Sequence, residues 1–458
     1  MTQTSNPTSC KVVSGLGNQA TSKPVGLDIL NLDDHAYDRA LSCVHCGLCL
    51  PVCPTYTQNG LESDSPRGRI YMMKGLADGV VEPTDNVLKH LDLCLDCQAC
   101  ETICPSGVVY HELLEDTRAK LKPKRKFKFT DKLVQSIFLY GFTKPLRLKL
   151  LLLPVRIMQK IGLYKLVLKS GLTKALPNQF QKMQQMLPDD GPLWERGLQA
   201  YYPPTDNTVA GKPRARVAMF PGCVGSVMYQ DVNRKTIEVL QHLGCEIIVP
   251  RKATCCGAIH HHAGEDKGAR DFARQNIKAY LNVKDKPDFI VNNIAGCGAG
   301  LREFDHLLRD DAQYADQAVD FVSRVRDVCE LIDELDPPTP SNRVAKTITY
   351  HHACHLLHAQ RAGDPPLRLL KRVMGLKIVP LEEADFCCGA AGTYNLTQPE
   401  MAMDLAERKI RHIQESGASI VVMSNVGCAM QISSEAKRLG VSLTTEHPVE
   451  ILHQAYLG

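Results

Sequence analysis

Residues 43–54 read CVHCGLCLPVCP, and residues 94–105 read CLDCQACETICP. Both follow the run C-x2-C-x2-C-x3-C-P, the bacterial-type spacing for [4Fe–4S] ligation. The three close thiolates of such a run wrap one corner of a cubane, and the remote fourth reaches the other cluster. On that rule Cys43, Cys46, Cys49 and Cys104 hold one cluster, and Cys94, Cys97, Cys100 and Cys53 hold the second. Pro54 and Pro105 then turn the chain away. A zinc site also uses C-x2-4-C pairs, but it needs only four ligands and no such phasing. Two full copies of the pattern predict two [4Fe–4S] clusters and an electron carrier.

The sequence around these runs is helical in pattern. A short helix from Asp33 to Ala40 leads into the first run. Ser65-Pro66 reads as a helix start, with Ile70, Met73 and Leu76 at helical spacing behind it. A further helix, Val87 to Leu93, returns the chain to the second run. Residues 33–117 are therefore expected to form a helical two-cluster ferredoxin-type domain. Arg67 and Arg69 stand either as donors toward a cluster or as a solvated helix start. Residues 1–32 are polar and expected to be flexible, with Cys10 unligated.

The chain has 458 residues, enough for roughly three domains. Its 44% hydrophobic and 23% charged content is that of an ordinary globular protein, but its 19 cysteines are many for this length. The N-terminus lacks the apolar segment of a secretory signal, so the cysteines read as metal ligands in a reducing compartment, not as a disulfide framework. No run of 18 or so uncharged apolar residues predicts a transmembrane helix.

Charge is unevenly spread. From Arg118 to Lys182 there are seventeen Lys and Arg residues against one acid, Asp131. They interleave with apolar clusters, as in PLRLKLLLLPVRIMQKIGLYKLVLK, and Pro145 and Pro154 are expected to cut the stretch into short helices. Residues 118–187 thus read as a basic amphipathic connector, able to lie on an anionic membrane surface or dock on a partner. The plainer reading is a helical connector with its lysines in water. Nucleic acid is not an expected partner, because no reader motif accompanies the charge. Residues 188–215 read as a linker.

The C-terminal half contains an internal repeat. RVAMFPGC ends at Cys223 and TITYHHAC at Cys354; TCCGA carries Cys255 and Cys256, FCCGA carries Cys387 and Cys388; DFIVNNIAGC ends at Cys297 and SIVVMSNVGC at Cys428. The offsets between copies stay close to 131 residues, which predicts a duplicated α/β unit, 216–340 and 341–458. The cysteines follow predicted strands, where loops at the carboxyl ends of a parallel sheet gather ligands. His260, His261 and His262 follow the first CCG, and His351, His352, His355 and His358 flank Cys354. Imidazoles there could ligate metal or pass protons, although each taken singly reads first as a satisfied surface or core residue. Cys245 and Cys329 fall outside the repeat and read as packing residues.

The two repeats resemble the cysteine-rich CCG domains of heterodisulfide reductase and its relatives. They depart from that pattern at its last element, C-x2-C: Gly300 and Gln431 stand where the final cysteine would be. Four thiols remain in each copy, Cys223, Cys255, Cys256 and Cys297, then Cys354, Cys387, Cys388 and Cys428. Four suffice for an additional iron–sulfur cluster or for zinc.

The order of two-cluster domain, basic connector and two CCG units closely resembles the iron–sulfur subunits of bacterial glycolate oxidases, from about Asp33 to Gly458. The same layout is similar to iron–sulfur subunits of anaerobic glycerol-3-phosphate dehydrogenase and lactate-utilisation complexes. The resemblance implies an FAD-containing partner subunit that oxidises glycolate to glyoxylate. It also implies onward electron transfer toward the quinone pool, and a peripheral place on the cytoplasmic side of the bacterial inner membrane. This chain has no G-x-G-x-x-G opening a helix after a strand, so FAD is expected only on the partner. It is expected to be a relay without a substrate site. The rival readings are a heterodisulfide or quinone reductase whose CCG units are catalytic, and a scaffold holding structural zinc.

Overall fold

The structure, a computed structural model, describes residues 30, 34–125, 129–171, 178–187, 197–205, 211–283 and 285–458. Apart from Leu30, the polar N-terminal segment with Cys10 lies outside the described residues.

The front domain is a small helical bundle. Its helices are Asp34–Leu41, Pro54–Asn59, Pro66–Ala77, Asp85–Asp92 and Tyr110–Leu121, with a single turn at Ala99–Thr102. Pro66 begins its helix because Ser65 caps it, the hydroxyl accepting from the Gly68 amide at 3.0 Å. Thr84 caps the helix Asp85–Asp92 in the same way. Ile70, Met73 and Leu76 point inward with Leu91, Leu113 and Leu114 to form the core. The cysteines sit at its rim.

The connector departs from expectation at one point. Pro145 opens a helix, but Pro154 does not end it: Pro145–Lys160 is continuous. An interior proline removes one hydrogen bond and crowds the preceding turn, a cost of about 3 kcal/mol. Leu148 and Leu152, both N-terminal to it, are buried against Val227, and Arg156 beyond it donates to the Val227 carbonyl at 3.2 Å, so the helix is held on both sides of the proline. The described connector also has a 3-10 turn at Lys122–Lys124, helices Phe129–Ser136, Leu163–Lys169 and Asn178–Gln185, and a π-helical stretch at Ile137–Phe142. Part of the stretch expected as linker, Tyr201–Tyr202, is an edge strand, β1.

The C-terminal half consists of two α/β units. In the first, β2 (Arg216–Met219), β3 (Glu246–Ile248), β4 (Phe289–Asn292) and β5 (Val325–Asp327) are parallel, in the order β1-β3-β2-β4-β5 with β1 antiparallel at the edge. In the second, β6 (Thr347–Tyr350), β7 (Lys377–Val379), β8 (Ile420–Val422) and β9 (Thr444–Glu446) repeat the parallel order as β7-β6-β8-β9. The registers repeat too: Val217 faces Phe289 as Ile348 faces Ile420. In both sheets the chain crosses over the central strand. The carboxyl ends of β2 and β4, and of β6 and β8, therefore flank a topological switch point, where such sheets gather ligands.

The two units share one core. Val217, Ile247 and Val291 pack in the same cluster as Ile348, Tyr350, Val422 and Leu452. Cys245 and Cys329 lie in it, fully buried, and burial pushes the Cys245 thiol up to about 12. Every described cysteine is a free thiol.

Candidate metal centres

The two N-terminal cysteine loops are built alike. In each, the residues two and four places after the first cysteine take left-handed backbone: His45 and Gly47 in one, Asp96 and Gln98 in the other. This bends the chain tightly enough to turn successive thiols inward. At Gly47 a side chain would also meet Arg67 Nη1 at 2.8 Å, so the loop and the helix start touch there. Cys43, Cys46, Cys49, Cys100 and Cys104 line one cavity, closed by Ile70, Val108 and Tyr110. Burial raises Cys43, with Cys104 and Cys46 as charged neighbours. Burial likewise pushes Cys97 and Cys100 well up, with Cys94 and Cys53 among the neighbours of each. In space Cys104 adjoins the first run and Cys53 the second, while Cys100 also lines the first cavity.

The donor chemistry fits two cubanes. Arg69 is wholly buried, donating to the His90 carbonyl at 2.7 Å and Thr55 Oγ1 at 3.0 Å, 3.6 Å from Asp64. Arg118 donates to the carbonyls of Leu91 and Cys94. Two buried guanidiniums beside eight thiols supply the positive charge that anionic clusters need. Arg67, by contrast, pairs with Glu62 at the surface and reaches the His45 carbonyl at 3.1 Å.

In the first α/β unit Cys223 follows β2, Cys255 and Cys256 follow β3, and Cys297 sits in the helix Ala295–Arg302 after β4. The Sγ atoms of Cys223 and Cys255 are 3.7 Å apart. Hydrogen bonds to Cys223 and Cys256 push Cys255 well up, whereas those from Cys255 and Cys297 hold Cys256 well below the usual thiol range. The second unit repeats the row: Cys354 meets Cys387, Cys387 meets Cys388, and Cys388 meets Cys428. Asn425 donates to Cys428 Sγ at 3.3 Å. Lys409, fully buried, has its ammonium near Cys388, and burial lowers it to about 8. Each unit therefore offers four adjoining thiols, a donor set suited to iron or zinc.

The front domain docks on both units. Cys97 packs with Cys354, Cys387, Leu93 and Tyr394 in one buried cluster, and the Tyr394 hydroxyl donates to the Leu93 carbonyl at 2.8 Å. On the other side Glu115, buried, bonds His262 Nδ1 at 2.7 Å and lies 2.8 Å from His261 Nε2. Asp96 faces His262 at 3.3 Å. Burial draws His262 down, but Asp96 and Glu115 outweigh it and carry it up to about 10. Gly264 permits this contact, since a side chain there would press the backbone of Arg118 and Ala119 at 3.1 Å. His358 bonds Thr102 at 2.9 Å, and His355 Nδ1 lies 3.5 Å from Cys354 Sγ. His260 stacks edge-on against Phe272, and His352 against Tyr350.

The histidines stood out in the sequence, but Asp96, Glu115, Lys409 and the buried role of Arg69 did not. Glu115 precedes His261 by 146 positions, and no local pattern joins them.

Residues 39–108 match the 4Fe-4S dicluster domain, and 217–302 and 348–433 each match the cysteine-rich domain family. Residues 130–187 match the linker region of the glycolate oxidase iron-sulfur subunit. A probable glycolate oxidase iron-sulfur subunit of Bacillus subtilis (strain 168) is 36% identical over 423 residues, 91% of this chain and 94% of the relative. The chain belongs to the glycolate oxidase iron-sulfur subunit family. The Escherichia coli (strain K12) glycolate oxidase iron-sulfur subunit is 32% identical over 421 residues, 90% of this chain and 93% of its own. Lactate utilization protein A of Oceanobacillus iheyensis is 29% identical over 239 residues, covering 52% of this chain and 96% of that protein. Members of the glycolate oxidase iron-sulfur subunit family are oxidoreductase subunits, and this member carries iron–sulfur cysteine motifs in a helical front region followed by two cysteine-rich α/β domains.

Proposed function

We propose that this chain is the electron-relay subunit of a membrane-associated glycolate-oxidising complex. A separate FAD-containing subunit would oxidise glycolate to glyoxylate, and this chain would pass the electrons toward quinone. The observation that carries this reading is the packing of Cys97 against the cluster that holds Cys354 and Cys387, which puts the second N-terminal thiol set next to the second cysteine-rich unit.

Cys43, Cys46, Cys49 and Cys104 would hold one [4Fe–4S] cluster, and Cys94, Cys97, Cys100 and Cys53 the other. When bound, such clusters supply one-electron transfer. The protein's own part is electrostatic and steric. Arg69 and Arg118 neutralise buried negative charge; Tyr110 and Val108 keep water from the thiols; Tyr394 fixes Leu93 and with it the approach of Cys97 to Cys354. The eight cysteine-rich-unit thiols would hold further metal, iron–sulfur or zinc.

Among the described residues no helix is long and apolar enough to cross a membrane. The connector nevertheless exposes Leu146, Leu150, Leu151, Ile157, Ile161 and Leu166 among basic residues. That face suits the anionic cytoplasmic leaflet of the inner membrane, leucines in the interface and lysines at the headgroups. Glycolate ranks ahead of lactate as the substrate of the complex because relatives of the first kind align along 90% or more of the chain, and those of the second along 52%.

The test combines the anaerobically purified chain with its FAD-containing partner and follows EPR signals after substrate addition. Glycolate should reduce the N-terminal clusters within turnover time, and Cys97→Ser should abolish onward transfer to quinone. Reduction by lactate or glycerol 3-phosphate instead of glycolate would move the chain to another complex. Substrate-independent activity of this chain alone would make it a reductase in its own right.

A further inference from the structure

We propose that His351 is a metal ligand of the second cysteine-rich unit, its Nε2 completing a mixed imidazole–thiolate site with Cys388 and Cys428. The inference rests on the reading above that this unit holds metal, and it names a donor that the cysteine pattern does not contain.

His351 is the first residue beyond β6, at the switch point of the second sheet. Its amide extends the strand ladder, donating to the Val422 carbonyl at 3.0 Å, so its backbone is fixed; its side chain is buried, 1% exposed. Nδ1 lies 3.0 Å from the Ala384 carbonyl oxygen. A carbonyl only accepts, so Nδ1 carries the proton and Nε2 presents a bare lone pair. Nε2 is buried and has no hydrogen-bond partner. A ring nitrogen of His351 and the Sγ atoms of Cys388 and Cys428 all lie within 4.8 Å of one another. With Nδ1 committed to the carbonyl, Nε2 is the nitrogen left for ligation. This is the arrangement of metal-bound histidines generally, in which the second ring nitrogen donates to a backbone carbonyl and sets the tautomer.

The internal repeat supplies a control. The residue at the same place in the first unit is Phe220, whose amide donates to the Val291 carbonyl at 2.7 Å and whose ring is 1% exposed. The scaffold at this position therefore asks only for a large buried ring. An imidazole there instead of a phenyl costs the desolvation of a polar nitrogen, and an unpaired buried acceptor costs about 1–3 kcal/mol. A metal ion held by Cys388 and Cys428 relieves that cost.

The chemistry is consistent with the sequence. Both units lack the last cysteine of the C-x2-C element, and in the second a neutral imidazole stands near the thiol that remains. Imidazole and thiolate together suit iron or zinc. In an iron–sulfur site, exchanging thiolate for histidine removes negative charge and raises the potential. The two units would then differ in donor set, the first with thiols alone and the second with thiols and imidazole.

The experiment uses the full-length chain, expressed with and without [15N]histidine and purified anaerobically, as wild type, His351→Phe, His351→Cys and Cys388→Ser. Iron, zinc and sulfide are counted, and the metal lost in Cys388→Ser defines the second unit's site. If that metal is paramagnetic iron, pulsed EPR should show a directly bound nitrogen that changes isotope with labelling. If it is zinc, absorption fine structure should show one nitrogen in the shell. His351→Phe, which installs the first unit's residue, should weaken metal retention at least tenfold while leaving the N-terminal cluster signals intact. His351→Cys should keep the metal and lose the nitrogen, and it decides the matter should the phenylalanine variant misfold. Metal that depends on Cys388 but shows no nitrogen in the wild type would overturn the assignment of His351 alone. A wild-type chain with no metal beyond the N-terminal clusters would overturn the metal reading of the unit as well.

Discussion

Replacing Glu115 by Gln should loosen the front domain from the first cysteine-rich unit, and the size of the effect can be reached by two routes. Glu115 faces His261 at 2.8 Å and His262 at 2.7 Å across the domain junction. The charge-assisted hydrogen bond to His262 contributes about 1.5–3 kcal/mol, and the ion-pair contact with His261 adds to it. Independently, His262 is raised from 6.5 to about 10. At 1.36 kcal/mol per pH unit this bounds its linkage at about 5 kcal/mol, of which Asp96 holds the first share and Glu115 the second, so Glu115 accounts for only part. The pH dependence follows from the two directions. Stability from a raised histidine is full below its unfolded value near 6.5 and is lost as pH climbs toward 10. Glu115 is held well below the usual carboxylate range, first against burial and then by His261 and His262, so its contribution is full above about 4.5 and is lost on acidification. The junction is therefore tightest between about pH 4.5 and 6.5 and weakens steadily on the alkaline side. Native-state hydrogen exchange of helix Tyr110–Leu121 reports it, as protection factors at pH 6 and pH 9. Wild-type protection should fall between those values, and Glu115→Gln should start lower and fall by less, since Asp96 still faces His262 and Asp266 still faces His261. Equal protection in both proteins at pH 6 would refute the argument.

Three further outcomes follow from the same structure. Arg69→Met removes a wholly buried guanidinium and the hydrogen bonds it donates to the His90 carbonyl and Thr55 Oγ1, while Asp64 keeps its bonds to Asn59 and His90; the variant should reduce N-terminal iron on purification, and unchanged iron would show that this charge is not needed there. Cys97→Ser should lower the iron content by one cluster's worth and leave the signal that depends on Cys43, Cys46 and Cys49. Leu150→Glu with Leu166→Glu should weaken co-sedimentation with anionic vesicles at least tenfold, since each leucine contributes about 1.5–3 kcal/mol when fully buried; unchanged binding would assign the membrane contact elsewhere.

Much of the fold was legible because its signals are local. Cysteine spacing carries the ligand grouping, since three thiols within seven residues have few ways to point except inward. Ser65-Pro66 declared a helix start by capping chemistry, and the repeat declared two like sheets. What escaped has long-range causes. Pro154 reads as a helix breaker until Leu148 and Leu152 are seen to be pinned on Val227. Tyr201–Tyr202, in a Pro-rich stretch, is a strand only because β3 offers it an open edge. Glu115 and Lys409 look like ordinary helix-surface charges in sequence; Glu115 meets His261 and His262 of another domain, and Lys409 turns in on the loop around Glu383 and Cys388 of its own unit. His351 is indistinguishable by pattern from His352 beside it. Strand alternation puts one ring into the sheet end and leaves the next against Tyr350.

The common core of the two α/β units also bears on how such a chain can change over time. Two identical subunits paired through this surface would have to accept every substitution twice, once on each side of their symmetry axis. Joined in one polypeptide, they keep the packing of a dimer but are freed from that constraint. A phenylalanine can persist in one half while its counterpart becomes a histidine, and a single polypeptide can hold two chemically different sites on one architecture.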